Sequence, residues 1–319
     1  MTRPLIAVTD SVFPSLDPAV AALKRIEPEI RMAISPSASD ILDVAREADG
    51  VFVTYAKLPG ELLRQFKRCK VIGRFGLGVD NIDVKTAAEL GIVVTYVPDY
   101  CLQEVSDHAM ALLLALARKI PFSNTLVQAG RWEMPAVVPM RRLEGRTLGL
   151  VGFGNIPRRL APKAMAFGLK VVAYDPYAPA DAARAAGVRL VEFEQLLAIS
   201  DYVSLHAPLT PQTRGLFNAD AFSKMKNGAY LINTARGPLI DEHALIAALD
   251  SGYLEGAALD VVATEPLSKD SRLLGRANVI LTPHTAFYSV EALEELQTKC
   301  ASDVARVLSG EKPVYPIRP

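Results

Sequence analysis

Short apolar runs alternate with amphipathic stretches along the first hundred residues. The runs LIAVTD, IRMAI, GVFVTYA, KVIGRFG and IVVTYVP have the length and composition of buried strands. Stretches with helical spacing lie between them, and Ser37 is placed to cap a helix expected over residues 38–48. Because strands that alternate with helices pair in parallel, this region predicts a parallel sheet with helices on both faces.

A second series of the same kind begins near residue 147. Its apolar runs are TLGLVGFG, KVVAYD, YVSLHAP, AYLINTA, GAALDV and VILTP. A helix expected from about Glu104 to Lys119 and a segment rich in Pro, Arg and Gly separate the two series, and this segment holds Trp132. A last helix is predicted over residues 289–308. The pattern predicts two α/β domains, with linkers near residues 98–101 and near Phe287.

The composition argues against nucleic-acid-binding, metal-binding and membrane proteins. Lys plus Arg and Asp plus Glu each number 35, so the chain has no basic excess that would indicate a nucleic-acid partner. The three cysteines form no CxxC motif, which favours a reducing compartment and indicates no metal site. The longest apolar run, AMALLLALA, is far shorter than the roughly 20 residues of a membrane span. A cytoplasmic protein without a metal or a membrane partner is expected.

The first strand of the second series ends in a glycine pair. Gly152-Phe153-Gly154 leads into a helix expected to begin near Asn155, and the next strand ends at Asp175. Glycines at such a turn let the backbone approach a pyrophosphate, which the helix N-terminus attracts. An acid about 20 residues further on suits the ribose hydroxyls and would repel a 2′-phosphate. The pattern predicts an NAD site, although Pro157 stands at the third glycine position.

Three consecutive predicted strands lead to Arg236, Glu265 and His284. The carboxyl ends of parallel strands meet at one edge of a sheet, where ligands bind. An imidazolium can donate a proton near neutral pH, and a neighbouring carboxylate favours its protonated form. An arginine has the fork of donors that suits a substrate carboxylate. The three side chains predict reduction of a 2-keto acid, with hydride reaching the carbonyl carbon and a proton reaching its oxygen.

Taken in order, these stretches resemble the D-specific 2-hydroxyacid dehydrogenase family over nearly the whole chain. The resemblance is carried by GRFGLGVDNID, GLVGFGN, HAPLT, INTARGPLIDEHAL, ALDV, the EP pair at Glu265 and TPHTAF. It implies a discontinuous, flavodoxin-like substrate domain (residues 1–101 and 287–319) and a Rossmann-like NAD domain (residues 102–286), both doubly wound parallel sheets. It also implies that Arg236, Glu265 and His284 are catalytic, and it implies no metal.

The resemblance extends to binding residues. The implied substrate contacts are Arg74, Leu77, Gly78, Arg236, His284 and Phe287. The implied NAD contacts are Val105, Gly152, Phe153, Gly154, Asn155, Ile156, Asp175, His206, Pro208, Thr213, Thr234, Ala235 and Asp260. Because the segment around Trp132 matches an arm that reaches a second subunit in this family, a homodimer through the NAD domain is expected. A loop packed on its own subunit is the alternative.

Two alternatives to a keto-acid reductase stay open. The stretches YVPDYCLQEVSDHAMALLLALAR and YDPY are most similar to the branch that contains the C-terminal-binding protein corepressors, so an NAD-sensing interaction protein is one alternative. Those corepressors carry long tails, and a chain ending at Pro319 favours the enzyme. A dehydrogenase of another small anion, such as phosphite, is the second alternative. Formate is a less suitable anion, because formate enzymes of this superfamily usually carry glutamine where Glu265 stands.

The other histidines are expected to be structural. His108 is expected to cap or pack near the first turn of the long helix, His206 to form a wall of the cofactor site, and His243 to be solvated at a helix start. Asp80 and Asp83 are expected to cap the following helix.

Overall fold

The computed structural model describes residues 3–317, which divide into two compact units. Residues 3–100 and 289–317 belong to unit 1, and Cys101–Tyr288 form unit 2. The long C-terminal helix is therefore part of the same unit as the N-terminal strands.

Unit 1 is built on five strands. They are Leu5–Val8 (β1), Glu29–Met32 (β2), Gly50–Val53 (β3), Val71–Arg74 (β4) and Val93–Thr95 (β5). Its helices are Asp17–Ala22 (α1), Ala38–Ala45 (α2), Gly60–Leu63 (α3), Val84–Glu89 (α4) and Val290–Leu308 (α12). The strands pair in parallel in the order β2-β1-β3-β4-β5. This order is that of a flavodoxin-like sheet.

Local sequence explains where several helices of unit 1 begin. The Ser37 side chain accepts a hydrogen bond from the Asp40 N–H at 3.2 Å and caps α2. Asp83 accepts from the Thr86 N–H at 2.9 Å and caps α4. The caps at Ser37 and Asp83 confirm the expectation from sequence, but Asp80, which was also expected to cap α4, is not its N-cap. In β4, a Cβ on Gly73 would lie 2.6 Å from Cγ2 of Val304, so the glycine allows α12 to pack closely on the sheet.

Unit 2 is built on seven strands and seven α-helices within the described residues. Its strands are Thr147–Val151 (β6), Lys170–Tyr174 (β7), Arg189–Leu190 (β8), Tyr202–Leu205 (β9), Ala229–Asn233 (β10), Leu254–Leu259 (β11) and Val279–Leu281 (β12). Its helices are Leu102–Ala117 (α5), Ile120–Gln128 (α6), Asn155–Ala166 (α7), Ala180–Ala185 (α8), Phe193–Ile199 (α9), Ala219–Lys224 (α10) and Glu242–Asp250 (α11).

The seven strands form one parallel sheet in the order β12-β11-β10-β9-β6-β7-β8. The chain winds outward in both directions from β6 and β9, so these two strands mark the switch point of a Rossmann-like sheet. One buried core, including Leu231 and Leu245, lies on one face, and a second, including Leu113 and Ile232, lies on the other. The predicted fold class, two doubly wound parallel sheets, is confirmed.

Several elements differ from the sequence prediction. The long helix α5 begins at Leu102 and ends at Ala117, two residues earlier than expected at each end. After it, Lys119 adopts a left-handed φ of 49° and a separate helix, α6, follows, which the apolar pattern did not predict. The segment after α6 contains a short 3-10 helix, Met134–Val137. Within residues 3–317, no single helix is long and apolar enough to span a membrane; the bent pair α5 and α6 meets that test only jointly.

Candidate active site

Arg236, Glu265 and His284 follow three strands that are neighbours in the sheet. The order β12-β11-β10 places the carboxyl ends of these strands side by side. Parallel pairing joins Asn233 to Leu259 and Leu259 to Leu281, so the strands end at nearly the same level. The loops that carry the three predicted catalytic residues therefore leave the sheet at one edge.

The structure brings Glu265 and His284 into direct contact. Nδ1 of His284 lies 2.7 Å from Oε2 of Glu265, and Oε1 of Glu265 accepts a hydrogen bond from the Val262 N–H at 3.2 Å. Burial alone would raise the pKa of Glu265, but the hydrogen bond and charge of His284, the Val262 N–H and the charge of Arg236 together lower it. Glu265 is therefore ionised at neutral pH and can orient and stabilise an imidazolium.

The loop of Arg236 is held against the loop that leads to Glu265. Asn233, which is fully buried, accepts a hydrogen bond from the Ala235 N–H at 2.9 Å, and its amide donates to the Arg236 carbonyl at 2.9 Å. A Cβ on Gly237 would lie 1.9 Å from the Val262 carbonyl oxygen, so only glycine permits this approach. The loop of Arg236 therefore packs closely on the loop that leads to Glu265, and the charge of Arg236 contributes to the lowered pKa of Glu265.

The glycine turn after β6 has the geometry of a nucleotide site. Gly152 has a φ of +98°, and a Cβ there would lie 2.9 Å from the Ala207 N atom. A Cβ on Gly154 would meet no atom within 4 Å, so the backbone is open at the start of α7. Asp175 follows β7 and accepts hydrogen bonds from the N–H groups of Phe153 and Tyr177, each at 2.8 Å. This turn, at the switch point of the sheet, fits a dinucleotide.

Other predicted cofactor residues lie on the same unit. His206 contacts Ser204 at 2.9 Å, and burial lowers the pKa of its imidazole to about 3, so it is neutral at physiological pH. The Thr213 hydroxyl donates to the Pro208 carbonyl at 2.6 Å. The buried Thr234 hydroxyl, at the end of β10, has no hydrogen-bond partner among residues 3–317, which suits a polar ligand group. Three locations hold the remaining predicted residues of this unit. Val105 lies in α5, Asn155 and Ile156 begin α7, and Ala235 follows β10.

The sequence did not predict the hydrogen bonds that Asp260 forms with the loop after β12. Its side chain, 1% exposed, accepts hydrogen bonds from the Thr282 hydroxyl and from two N–H groups of the His284 loop. His108 was expected near the first turn of α5; it lies in the second turn and contacts the Thr282 hydroxyl at 3.0 Å. No sequence spacing links residues 174 positions apart, so only the packing of α5 on the sheet reveals this contact.

The predicted substrate residues lie in both units. Arg74 ends β4 of unit 1 and is buried, and Leu77 and Gly78 follow it. In unit 2, the Phe287 ring lies edge-on to the His284 imidazole, with a centroid distance of 6.2 Å. His243 is exposed at the start of α11, as expected. Among the described residues, no group of three or more His, Cys, Asp or Glu side chains could hold a metal ion.

Comparison with known proteins assigns the family. Residues 110–286 match the model of the D-isomer specific 2-hydroxyacid dehydrogenase, NAD binding domain. The chain is 41% identical over 313 residues to D-3-phosphoglycerate dehydrogenase 2, chloroplastic, of Arabidopsis thaliana, covering 98% of this chain and 49% of that protein. It is 38% identical over 308 residues to D-3-phosphoglycerate dehydrogenase of Methanocaldococcus jannaschii, covering 96% and 58%. The chain thus spans about half the length of the curated relatives it matches.

A solved structure matches across both units. D-lactate dehydrogenase from Aquifex aeolicus, complexed with NAD and lactic acid, superposes with a TM-score of 0.86 at 30% identity, covering 96% of each chain. The family model covers more than half of this chain, and it lies within unit 2, where the glycine turn and Asp175 are found. Unit 2 is therefore an NAD-binding domain, and the chain belongs to the D-isomer specific 2-hydroxyacid dehydrogenase family.

Proposed function

We propose that the protein is an NAD-dependent oxidoreductase that interconverts a small 2-keto acid and its D-2-hydroxy acid. The observation that carries the proposal is the 2.7 Å contact between His284 Nδ1 and Glu265 Oε2. It supplies an oriented acid–base group, and Arg236 lies on the neighbouring loop. Membership of the family supports the same reaction class.

His284 is the proposed proton donor in the direction of reduction. Bound NADH supplies the hydride that the second carbon of the keto acid accepts. Because Nδ1 of His284 is held by Glu265, the proton reaches the substrate oxygen from Nε2. The ionised Glu265 stabilises the imidazolium before this transfer and fixes the plane of the ring. In the oxidative direction, the same nitrogen accepts the proton of the hydroxyl group.

Arg236 is the proposed anchor of the substrate carboxylate. A guanidinium binds a carboxylate through two parallel hydrogen bonds, which fixes the orientation of the carbonyl carbon. We further propose that unit 1 is the substrate domain, with Arg74 and the backbone at Leu77 and Gly78 as contacts, and that Phe287 lines the same pocket. The position of Arg74 at the carboxyl end of β4 supports this assignment, because ligands bind at that edge of such sheets.

The NAD contacts are proposed to follow the family arrangement. The backbone from Gly152 to Ile156 would hold the pyrophosphate and Asp175 the ribose. Asp260 and the backbone of Thr234 and Ala235 would hold the nicotinamide amide. His206, Pro208 and Thr213 would line the adenosine side, and Val105 would lie beside the cofactor. The open backbone at Gly154 and the unsatisfied Thr234 hydroxyl support this proposal.

Asp175 is expected to set the preference for NADH over NADPH. Its carboxylate stands at the end of β7, where a 2′-phosphate would meet a like charge. We expect Asp175→Asn, which retains an acceptor for the Phe153 N–H, to raise kcat/KM for NADPH relative to NADH by about 10-fold or more. Steady-state kinetics with both cofactors measure this ratio. A wild-type enzyme that prefers NADPH would contradict the assignment of Asp175.

A turnover assay separates the proposed function from its alternatives. The panel contains glyoxylate, pyruvate, hydroxypyruvate and a bulkier keto acid with NADH, and 3-phosphoglycerate and phosphite with NAD. Reduction of a keto acid with a D-configured product supports the proposal. Oxidation of 3-phosphoglycerate would show that the protein shares the substrate named for the Arabidopsis relative. Oxidation of phosphite alone would establish the small-anion alternative. NADH binding without any turnover would favour the corepressor-like alternative.

We also propose a homodimer through the NAD domain. The segment after α6 exposes Trp132 (88%) and Met134 (72%), and α6 exposes Ile120. Several large exposed apolar side chains within residues 120–134 favour an interaction surface there. Analytical ultracentrifugation of the protein and of a Trp132→Ser, Met134→Ser variant tests this proposal, since a monomeric wild type would contradict it.

The cytoplasmic location expected from the cysteines stays a prediction, which cell fractionation would test.

A further inference from the structure

Asp260 is buried, and it accepts hydrogen bonds from residues that precede and follow His284 along the chain. Its Oδ1 accepts hydrogen bonds from the Thr282 hydroxyl at 2.6 Å and from the Thr285 N–H at 2.9 Å. Its Oδ2 accepts from the Ala286 N–H at 2.9 Å, and its own carbonyl accepts from the His284 N–H at 2.8 Å. One residue therefore holds the Thr282 side chain before the candidate acid–base group and the backbone N–H groups at and after it.

The conformation of His284 explains why this loop needs to be held. Its φ is +54°, in the left-handed region that non-glycine residues rarely adopt. Such a conformation persists only where the surrounding contacts determine it. Because the backbone angle sets the direction of the imidazole, loss of these contacts would turn the ring away from Glu265.

The hydrogen-bond directions assign a role to His108. A threonine hydroxyl has one proton, and Thr282 donates it to Oδ1 of Asp260 at 2.6 Å, so the oxygen of Thr282 is left as an acceptor. Nε2 of His108 lies 3.0 Å from that oxygen and must therefore be its donor. Nε2 of His108 thus carries a proton, and it also lies 3.6 Å from Oδ1 of Asp260. The donors run in one direction, from His108 through Thr282 to the carboxylate.

We propose that His108 and Thr282 are positioning residues that act through Asp260 on His284. Their hydrogen bonds tie the second turn of α5 to the loop after β12, so that the imidazole faces Glu265 in the geometry needed for proton transfer. The inference rests on the proposed role of His284 as proton donor. It assigns no contact with substrate to either positioning residue.

Two substitutions of Thr282 test the proposal. Thr282→Val retains the shape and removes the hydroxyl, whereas Thr282→Ser retains the hydroxyl. We expect Thr282→Val to lower kcat by about 10–100-fold, because a small displacement of a reacting group has a large effect on rate. The NADH dissociation constant and the keto-acid KM should stay within about twofold of the wild type. Thr282→Ser should restore most of kcat.

Two substitutions of His108 test its positioning role in the same way. His108→Gln places an amide N–H where Nε2 lies and should retain most of kcat, whereas His108→Leu removes the donor and should lower kcat by about 10-fold or more. His243→Leu is the matched control, because His243 is exposed on α11, and its kinetics should equal those of the wild type.

Amide hydrogen exchange supplies a measurement that does not depend on turnover. Peptides covering residues 282–288 should exchange faster in Thr282→Val and His108→Leu than in the wild type, Thr282→Ser or His108→Gln. Unchanged exchange and unchanged kcat in Thr282→Val would overturn the proposal. So would a loss of NADH affinity equal to the loss of kcat, which would mean that the network serves the cofactor. If the wild type turned over no substrate, the proposed function would fail, while exchange would still decide whether the network holds the loop.

Discussion

Replacement of His284 is expected to abolish most of the turnover while leaving NADH binding intact. His284 is the proposed source of the proton, and loss of a positioned general acid lowers kcat by about 10²–10⁴-fold. His284→Asn is the sharper variant, because asparagine tolerates the left-handed backbone that His284 adopts and alanine does not. Stopped-flow and steady-state assays of keto-acid reduction measure the loss, and fluorescence titration measures NADH affinity.

The control for this prediction is His243→Asn, on an exposed position of α11. Its turnover should equal that of the wild type. Comparable turnover in His284→Asn and His243→Asn would refute the assignment of the proton donor. A large loss of NADH affinity in His284→Asn would show instead that the residue supports the cofactor.

Replacement of Arg236 is expected to have the next largest effect, on binding of the substrate carboxylate. Arg236→Gln should lower kcat/KM by about 10²–10³-fold, which corresponds to roughly 3–4 kcal/mol of lost transition-state stabilisation. Most of the effect should fall on the keto-acid KM, since the carboxylate is bound in both the ground and transition states. Arg236→Lys should recover only part of the loss, because an ammonium group cannot form the paired hydrogen bonds.

Arg272→Gln is the matched control for Arg236, because Arg272 is an exposed arginine paired with Asp250. It should leave the kinetics unchanged. If Arg236→Gln bound and reduced a keto acid as well as the wild type does, Arg236 would not be the carboxylate anchor. The charge of Arg236 also helps to lower the pKa of Glu265, so a shifted pH profile in Arg236→Gln would report that second effect.

The sequence pattern predicted the sheets better than it predicted the helices. Apolar runs of four to seven residues have few ways to be buried, and parallel strands between helices are one of them. Helix limits depend on local caps and on tertiary packing. Residues 59–68 are one of the stretches with helical spacing, but α3 ends at Leu63, and the N–H groups of Gln65 and Phe66 form tighter turn bonds to the carbonyl groups of Leu62 and Leu63. The helix α6 was missed because it carries a proline and an irregular apolar pattern.

The sequence by itself determined which chemical groups lie at the ends of β10, β11 and β12, because short loops after parallel strands emerge at one edge. It also determined the glycine turn and Asp175, since those positions depend on local backbone geometry. The tertiary structure alone decided that His284 and Glu265 touch, that Gly237 lies against Val262, and that His108 reaches Thr282. These contacts join residues distant along the chain, and their geometry depends on strand order, register and the packing of α5, none of which a linear pattern contains.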